Sequence, residues 1–153
     1  MSEQRATASL DASGIKYNLV RHGPVGSLEE AARARGLRPQ QVVKTLVVRR
    51  GEDDYIFVLV PGGRQIDWHK LRSALGVSRL SMPSAEVARE NTGYERGTIT
   101  PFGATRVWPV VADTRVRGTV SIGAGAHGVS ATLKAKDVLR FLRATVADVT
   151  TTA

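Results

Sequence analysis

Short segments of alternating apolar and polar residues recur along this chain, and glycine, proline and acidic residues mark the breaks between them. Residues 15–20 alternate and predict a strand that ends at a Gly-Pro turn beginning at Gly23. Residues 42–49 and 55–60 flank the polar turn 51–54, which predicts a hairpin. Further strands are predicted over residues 78–82, 106–111, 118–123 and 129–133.

Helix start and stop signals separate several of these strands. Ser27 with Glu30 three residues later has the pattern of a capping box, and the helix it opens is predicted to end at Gly36. Asp67 is predicted to cap a second helix that Gly76 stops. Further helices are predicted over residues 84–91 and 136–143, and residues 1–13 are predicted to form either a weak helix or a flexible segment.

Length and composition narrow the class of protein. With 153 residues the chain can bury its own core, and its strand pairs with irregularly placed helices predict an α+β fold in a single domain over residues 1–153. No apolar run has the length of a membrane span, and the absence of cysteine fits a cytoplasmic protein and excludes thiol catalysis. The net charge of +8 favours a polyanionic partner, although a basic surface without a partner is the alternative.

Lys44 is the most informative single residue, because it interrupts an apolar, β-branched run over residues 42–48. A buried ammonium is costly unless a negative group meets it, and this run contains no acidic residue. A counter-charge is therefore expected from elsewhere in the fold or from a ligand. The alternative is a lysine whose stem is buried while its ammonium reaches solvent at the edge of a sheet.

A second unusual segment covers residues 91–103, which contain three glycines and Pro101. These are too many helix and strand breakers for a regular element, and the segment is too apolar for a solvated linker. Glycine allows close approach of the backbone, and proline fixes its own φ and lacks an N–H. The segment predicts a pocket wall made of backbone, with a plain hairpin connection as the alternative.

Together these segments resemble the YbaK family, which includes free-standing relatives of the prolyl-tRNA synthetase editing domain. The likeness runs in one order over residues 15–148. It is carried by Val-Val-Lys-Thr-Leu around Lys44, by Gly93-Tyr94, by the glycine-proline loop over residues 97–103, and by a later glycine-rich strand pair. The resemblance implies a compact, mixed and mainly antiparallel sheet that is wrapped by helices and contains one pocket.

The resemblance also implies a reaction, which is hydrolysis of the ester bond of a mischarged aminoacyl-tRNA in trans. The favoured substrate is the tRNA-Pro class carrying a small amino acid, and the partners are the aminoacyl-tRNA 3′ end and prolyl-tRNA synthetase. Such an ester is already activated, so a held substrate, a positioned water and oxyanion stabilisation suffice without a protein nucleophile, metal or cofactor. The alternatives are a non-catalytic tRNA- or nucleotide-binding module and a small-molecule ester hydrolase.

By the same resemblance, Lys44 binds the phosphate beside the terminal adenosine, and the backbone from Gly97 to Pro101 shapes the pocket and positions water. Substrate-binding candidates adjoin these residues or lie in loops that the resemblance brings towards the pocket. They are Thr45, His22, Thr98, Ile99, Thr100, Gly123, Gly125 and His127. The tRNA-binding candidates, in or beside loops and helix starts, are Arg21, Arg64, His69, Lys70 and Arg96.

Other chemistry-bearing patterns have simpler explanations. The segment from Gly123 to Gly128 matches G-x-G-x-x-G, but the residues after it alternate as a strand, so a glycine-lined turn is predicted instead of a dinucleotide site. The histidines lack metal-ligand spacing, and none is predicted to be an essential base. Asp113 is predicted to be a turn or helix-start residue. Among the aromatic residues, Tyr94 is predicted to pack in the core or the pocket wall, and Phe102 and Trp108 are predicted to pack in the core.

The chain departs from the members of the YbaK family that act on Cys-tRNA. The serine and the aspartate that those members use in the glycine-rich strand pair fall on Gly123 and Ser130. A tyrosine that they carry before a histidine falls on Arg21. These departures argue against cysteine specificity, and they leave the lysine and the glycine-proline loop in place.

Overall fold

Helices and strands follow one another irregularly in the computed structural model, which describes residues 2–153. The helices are α1 (Ser2–Ser13), α2 (Leu28–Ala34), α3 (Trp68–Leu75), α4 (Ala85–Thr92) and α5 (Ala135–Phe141), with a 3-10 helix at Pro39–Gln41. The strands are β1 (Tyr17–Arg21), β2 (Val43–Gly51), β3 (Asp54–Pro61), β4 (Arg64–Ile66), β5 (Val110–Asp113), β6 (Thr119–Gly123), β7 (Val129–Lys134), β8 (Thr145–Ala147) and β9 (Thr150–Thr152).

Within residues 2–153 most strands belong to two sheets. One has the order β2-β3-β5-β8, in which β2 and β3 form an antiparallel hairpin and β5 lies parallel to both β3 and β8. The other has the order β1-β7-β6 and is antiparallel throughout. Strands β4 and β9 form a small antiparallel pair. The predicted α+β fold with mixed, mainly antiparallel strands is therefore confirmed.

Side-chain caps begin the second and third helices where the sequence predicts them. Asp67 accepts a hydrogen bond from the backbone N–H three residues on (3.1 Å), and Gly76 ends α3 with a left-handed φ of 66°. Ser27 caps α2 by accepting from the Glu30 N–H at 3.1 Å. The Glu30 carboxylate reaches back to the N–H of Gly26 instead of Ser27, so the capping box closes one residue early.

Two predicted strands differ from the structure. Residues 78–82 form no strand, because Ser81 makes a single bridge to Arg49 in the short span between the end of α3 and Pro83. The strand predicted over residues 106–111 begins only at Val110. Pro109 has no N–H to donate to a neighbouring strand, although its carbonyl accepts from the Phe57 N–H at 2.9 Å.

The N-terminal segment packs as a helix. Of the two alternatives for residues 1–13, the structure has the helix over Ser2–Ser13, while Met1 lies outside the described residues. Ala6 and Leu10, four residues apart, are buried on one face of α1. Burial of this face, more than helix propensity, holds the segment in place.

Two glycines of the segment 91–103, Gly93 and Gly103, serve the contact with this helix. Gly93 ends α4 with φ 79°, and its carbonyl accepts from the Arg5 guanidinium at 2.5 Å. A Cβ on Gly103 would lie 2.3 Å from the Arg5 carbonyl oxygen, so only glycine allows α1 to approach here. The Arg5 guanidinium also lies 5.0 Å from the ring centroid of Tyr94. Only part of this segment therefore matches the predicted pocket wall.

The main hydrophobic core lies between the two sheets, and a second one lies on the other face of the β2–β3 sheet. Tyr94 and Phe102 are buried in the main core, as predicted. The Tyr94 hydroxyl donates to the Phe102 carbonyl at 2.7 Å, and burial raises the pKa of this phenol to about 12. Trp108 is only partly buried at the border of this core, where its indole N–H donates to the Asn91 carbonyl at 2.8 Å.

Asp113 is a buried carboxylate that joins separate parts of the chain, which goes beyond the predicted role in a turn. It accepts hydrogen bonds from the backbone N–H groups of Arg115 (3.0 Å) and Val149 (3.1 Å) and from the Thr150 hydroxyl (2.9 Å). The Arg115 guanidinium lies 3.2 Å away. Burial alone would raise the pKa of Asp113, but these donors outweigh it and lower the pKa below 3.8.

We expect this carboxylate to make stability depend on pH. Because the folded pKa is lower than the unfolded one, its contribution is fully present above the unfolded value and is lost as the pH falls through the folded value. The Asp113→Asn variant should lower the free energy of unfolding at pH 7 by about 2 to 4 kcal/mol and lose less stability than the native chain below pH 3.8.

Denaturant unfolding at neutral and acidic pH measures both effects. Asp53→Asn is the matched control, because Asp53 lies exposed in the β2–β3 turn with φ 52°, a conformation that asparagine tolerates. An Asp113→Asn variant with the same stability and pH dependence as the native chain would contradict the role given to this carboxylate.

Candidate active site

The two main sheets meet at one point and then diverge. Val42, directly before β2, forms a parallel bridge to Ser121 of β6, and Arg49 near the other end of β2 bridges Ser81. Between these two bridges, no strand within residues 2–153 pairs with this side of β2, which is the edge of its sheet. Residues 42–47 on this open edge line a cavity of about 420 Å³.

This cavity, here called the lysine cavity, brings together several of the residues predicted from sequence. Its walls come from the edge of β2, the end of β6, the loop after α4 and the C-terminal end of α2. The predicted site residues that line it are Lys44, Thr45, Arg96, Gly97, Ile99 and Gly123. Its volume lies within the range that is typical of small-ligand sites.

Lys44 lies in the wall of the cavity, but it is exposed and not buried. Its neighbours Val43 and Thr45 are buried, because side chains alternate between the two faces of a strand. The prediction of a buried ammonium that needs a counter-charge is wrong, and the alternative of an ammonium exposed at a sheet edge is confirmed. Since the Lys44 ammonium makes no hydrogen bond or ion pair with residues 2–153, its charge is available to a ligand.

Thr45 adds an unsatisfied polar atom to the same wall. Its side chain is buried, and its hydroxyl oxygen has no hydrogen-bond partner. A buried hydroxyl left unpaired costs about 1 to 3 kcal/mol, so such groups are usually explained by a bound partner. This orphan hydroxyl fits the prediction that Thr45 hydrogen-bonds a substrate.

Arg35 supplies a second cation that the sequence pattern did not suggest. It follows α2 at its C-cap position and is half-buried in the wall of the lysine cavity. Its Nη1 donates to the Ser121 hydroxyl at 3.1 Å, no carboxylate within residues 2–153 pairs with it, and burial lowers its pKa. Helical periodicity could have indicated that Arg35 is partly buried, because it lies four residues after the buried Ala31 and three after the buried Ala32.

His22 supports Arg35 instead of facing the cavity. Its Nε2 accepts a hydrogen bond from the Arg35 Nε at 3.3 Å, because a guanidinium only donates. The Nδ1 of His22 therefore carries the proton and donates to the Gly23 carbonyl at 2.9 Å. Both ring nitrogens are occupied, and His22 does not line the lysine cavity, so its predicted contact with substrate is indirect.

The loop over residues 97–101 separates the lysine cavity from a smaller one of about 260 Å³. Gly97, with φ 91°, lines the lysine cavity, whereas Thr98, Gly125 and His127 line the smaller one. Thr100 and Pro101 line neither of the two. Of the predicted substrate-binding residues, Thr98, Thr100, Gly125 and His127 therefore do not line the cavity that contains Lys44.

The predicted tRNA-binding residues do not form one surface. Arg21 pairs with an acidic residue of α1, and Lys70 pairs with one between β8 and β9 at 3.1 Å. His69 is exposed on α3, and Arg64 lines a different cleft. Only Arg96 borders the lysine cavity, where its guanidinium donates to a backbone carbonyl at 3.1 Å.

The described residues do not form a dinucleotide site, a cluster of metal ligands or a membrane-spanning helix. The turn from Gly123 to Gly128 joins β6 and β7 as a hairpin and opens no helix, which confirms that it is not a dinucleotide fingerprint. In the part of the chain that the structure describes, no group of three or more histidine and acidic side chains could hold a metal ion. None of the described helices is long and apolar enough to cross a bilayer.

Comparisons with known proteins show which family this chain resembles. The family model of the aminoacyl-tRNA editing domain matches residues 22–141. The chain is 35% identical to the proline–tRNA ligase of Thermosipho melanesiensis over 107 residues, which are 70% of this chain and 19% of the ligase. It is 28% identical to the prolyl-tRNA editing protein ProX of Acetoanaerobium sticklandii over 138 residues, covering 86% of this chain and 84% of that protein.

A solved structure of a related protein has the same fold as this chain. It is described as a candidate trans-editing enzyme for prolyl-tRNA synthetase, and it matches 98% of this chain and 97% of its own with a TM-score of 0.87 and 27% identity. The matched range 22–141 contains every residue that lines the lysine cavity. The sequence resemblance is thus confirmed, and this chain belongs to the aminoacyl-tRNA editing domain family.

Proposed function

We propose that this protein hydrolyses the ester bond of mischarged aminoacyl-tRNA in trans. The observation that carries the proposal is the unpaired ammonium of Lys44 in a cavity at the open edge of β2. Its family is that of aminoacyl-tRNA editing domains, and its likeness to a protein named as a prolyl-tRNA editing protein extends over most of both chains. The tRNA-Pro class carrying a small amino acid is the substrate we favour, with prolyl-tRNA synthetase as a functional partner in the cytoplasm.

In this proposal the cations of the cavity hold the substrate by its phosphate. Lys44 neutralises the phosphate that precedes the terminal adenosine, and Arg35 reinforces the positive potential from the facing wall. The Thr45 hydroxyl gains the hydrogen-bond partner that it lacks in the free protein. With the phosphate and ribose fixed, the ester carbonyl comes to rest against the backbone near Gly97.

The chemical step then requires little from side chains. A water molecule attacks the ester carbonyl, and backbone N–H groups stabilise the oxyanion that forms. The bond between the carbonyl carbon and the ribose oxygen breaks, and the water proton passes to that oxygen with the neighbouring ribose hydroxyl as a relay. The products are the free amino acid and an uncharged tRNA, so the reaction balances without a protein nucleophile.

Removal of the Lys44 charge should abolish the reaction without unfolding the protein. Because this ammonium is exposed and unpaired, Lys44→Ala should leave the free energy of unfolding unchanged while kcat/KM falls at least ~100-fold. Lys44→Arg should also be impaired, since a planar guanidinium does not replace a compact ammonium. Release of amino acid from a panel of mischarged tRNAs measures the effect.

Lys136→Ala, which removes an exposed lysine on α5 outside the lysine cavity, is the matched control. Near-native deacylation by Lys44→Ala would refute the assigned role of Lys44. A native protein that retards tRNA but releases no amino acid from any member of the panel would instead be a non-catalytic binding module.

The loop over residues 97–101 is predicted to depend on the backbone conformation of Gly97. Gly97 has φ 91° and a Cβ there would meet nothing closer than 3.5 Å, so Gly97→Ala is strained mainly through its backbone, by about 1 to 2 kcal/mol. We expect it to lower deacylation at least tenfold, and Pro101→Ala to lower it less. Gly76→Ala, with φ 66° in open space at the end of α3, carries a similar strain away from the cavity.

Unfolding curves and deacylation rates for the two glycine variants separate stability from catalysis. Similar losses of stability with a loss of activity only in Gly97→Ala would support the pocket-wall role. Equal activity in both variants would mean that the loop over residues 97–101 is only a connection.

Arg35 is predicted to act on substrate binding. Arg35→Met keeps most of the side-chain volume but removes the charge and leaves Ser121 without its guanidinium donor, so KM should rise about tenfold with a smaller change in kcat. Arg33→Met, at an exposed position of the same helix, is the control. Steady-state kinetics on one mischarged tRNA measures both constants. An unchanged KM in Arg35→Met would contradict a role of Arg35 in substrate binding.

A further inference from the structure

A second and larger cavity, here called the arginine cleft, has a volume of about 690 Å³. It lies between the 3-10 helix, the turn from β3 to β4 and the turn before β6. Of the described residues, four arginines and no acidic residue line it, and it shares no lining residue with the lysine cavity. The arginines are Arg38, Arg64, Arg115 and Arg117.

Two of these arginines are held in place by one hydrogen-bond network. The Nε of Arg64 donates to the Thr150 hydroxyl at 2.7 Å, and this hydroxyl donates in turn to Asp113 at 2.9 Å. Arg115 donates to the same buried Asp113 at 3.2 Å and to Asp148 at 2.9 Å. Neither guanidinium uses all five of its N–H donors in these contacts, so both retain donors for a ligand.

The other two arginines carry unopposed charge. Arg38 and Arg117 are exposed, and their guanidinium groups make no ion pair or hydrogen bond with any part of the described chain. Several like charges around one concavity repel one another and raise the local positive potential. An anionic ligand with more than one charge relieves this repulsion.

Tight backbone contacts fix the shape of the cleft. A Cβ on Gly62 would lie 2.0 Å from the Pro39 carbonyl oxygen, so the turn after β3 and the 3-10 helix are in direct contact. The Gln41 side-chain amide donates to the Thr119 carbonyl at 3.0 Å, which ties the 3-10 helix to β6. The arginines are therefore presented by a preformed wall.

The arginine cleft and the lysine cavity lie on either side of the contact between the two sheets. Gln41 and Thr119 line the arginine cleft, and the bridge from Val42 to Ser121 lies one residue after Gln41 and two residues after Thr119. Beyond this bridge, Lys44 and Gly123 line the lysine cavity. An extended polymer that ends in the lysine cavity can thus continue over the bridge into the cleft.

We propose that the arginine cleft binds the sugar–phosphate backbone of the tRNA acceptor strand that precedes the terminal adenosine. This inference rests on the proposed function, which places the terminal adenosine in the lysine cavity. Arginine matches phosphate through its planar fork of donors, and backbone contacts of this kind position a nucleic acid without reading its sequence. The lining offers glycine, threonine and glutamine but no aromatic side chain, which disfavours a protein partner that needs apolar anchors.

The test compares substrates of different length. kcat/KM is measured for an aminoacylated tRNA, for an aminoacylated acceptor-stem minihelix, and for an aminoacyl-adenosine 5′-phosphate that is too short to reach the cleft. The variant is the double change Arg38→Gln and Arg117→Gln, because both side chains are exposed and unpaired and their removal should leave the fold intact. The control is Arg33→Gln with Arg140→Gln, which removes the same charge from exposed positions outside both cavities.

We expect the cleft variant to lose about tenfold or more in kcat/KM on tRNA and minihelix and less than twofold on the short substrate. The dependence of log(kcat/KM) on log(salt) should become shallower by roughly 1 to 2 for the two charges removed, as counterion release requires. The control should keep native values. Equal losses on long and short substrates, or equal losses in variant and control, would overturn the assignment.

Two further results distinguish the possible failures. If the native protein hydrolyses none of the three substrates, the proposed function fails, and the cleft is then judged by salt-dependent binding of uncharged tRNA to native and variant protein. Loss of that binding in the cleft variant alone supports the cleft, and unchanged binding overturns it. A different result would be that millimolar inorganic phosphate inhibits the native protein but not the cleft variant, while the variant keeps native kinetics on tRNA. The cleft would then be a site for free phosphate, and the RNA assignment would be overturned.

Discussion

The contact between Val42 and Ser121 determines where the two main sheets of this protein come together, and the lysine cavity depends on their divergence after it. An unpaired strand edge exposes backbone donors and acceptors and is usually covered or shortened in natural proteins. Here the edge of β2 is left open between two single bridges, and residues 42–47 on this edge line the lysine cavity. The same edge explains why Lys44 is exposed within the largely apolar run over residues 42–48.

Charge pairing divides the basic residues of this chain into two groups. Several cations, including Arg21, Arg50 and Lys70, are matched by acidic neighbours and contribute little net field. Lys44 and Arg35 in the lysine cavity, like the exposed arginines of the cleft, have no such partner in the described chain. The net charge of +8 is thus less informative than the places where positive charge is left unopposed.

Local features of the fold could be predicted from the sequence, whereas long-range ones could not. The β2–β3 hairpin and the caps at Ser27 and Asp67 depend on neighbouring residues, and they are where the pattern predicts them. The parallel pairing of β5 with β3 depends on residues far apart in the chain, and no local pattern encodes it. The reason for which Lys44 was singled out, a buried ammonium, was wrong, because an apolar run does not reveal that its strand lies at an edge. Gly103 was assigned to a pocket wall because its real neighbour, Arg5, is distant in sequence.

Ligand titration tests most directly whether the open edge of β2 receives the aminoacylated adenosine, as we propose. A stable analogue with an amide in place of the ester would be added to isotope-labelled protein while backbone amide shifts are followed. We expect the largest shifts on residues 42–47, Gly97 and Gly123, which line the lysine cavity. Shifts confined to Gly125 and His127 in the smaller cavity, with residues 42–47 unchanged, would contradict it.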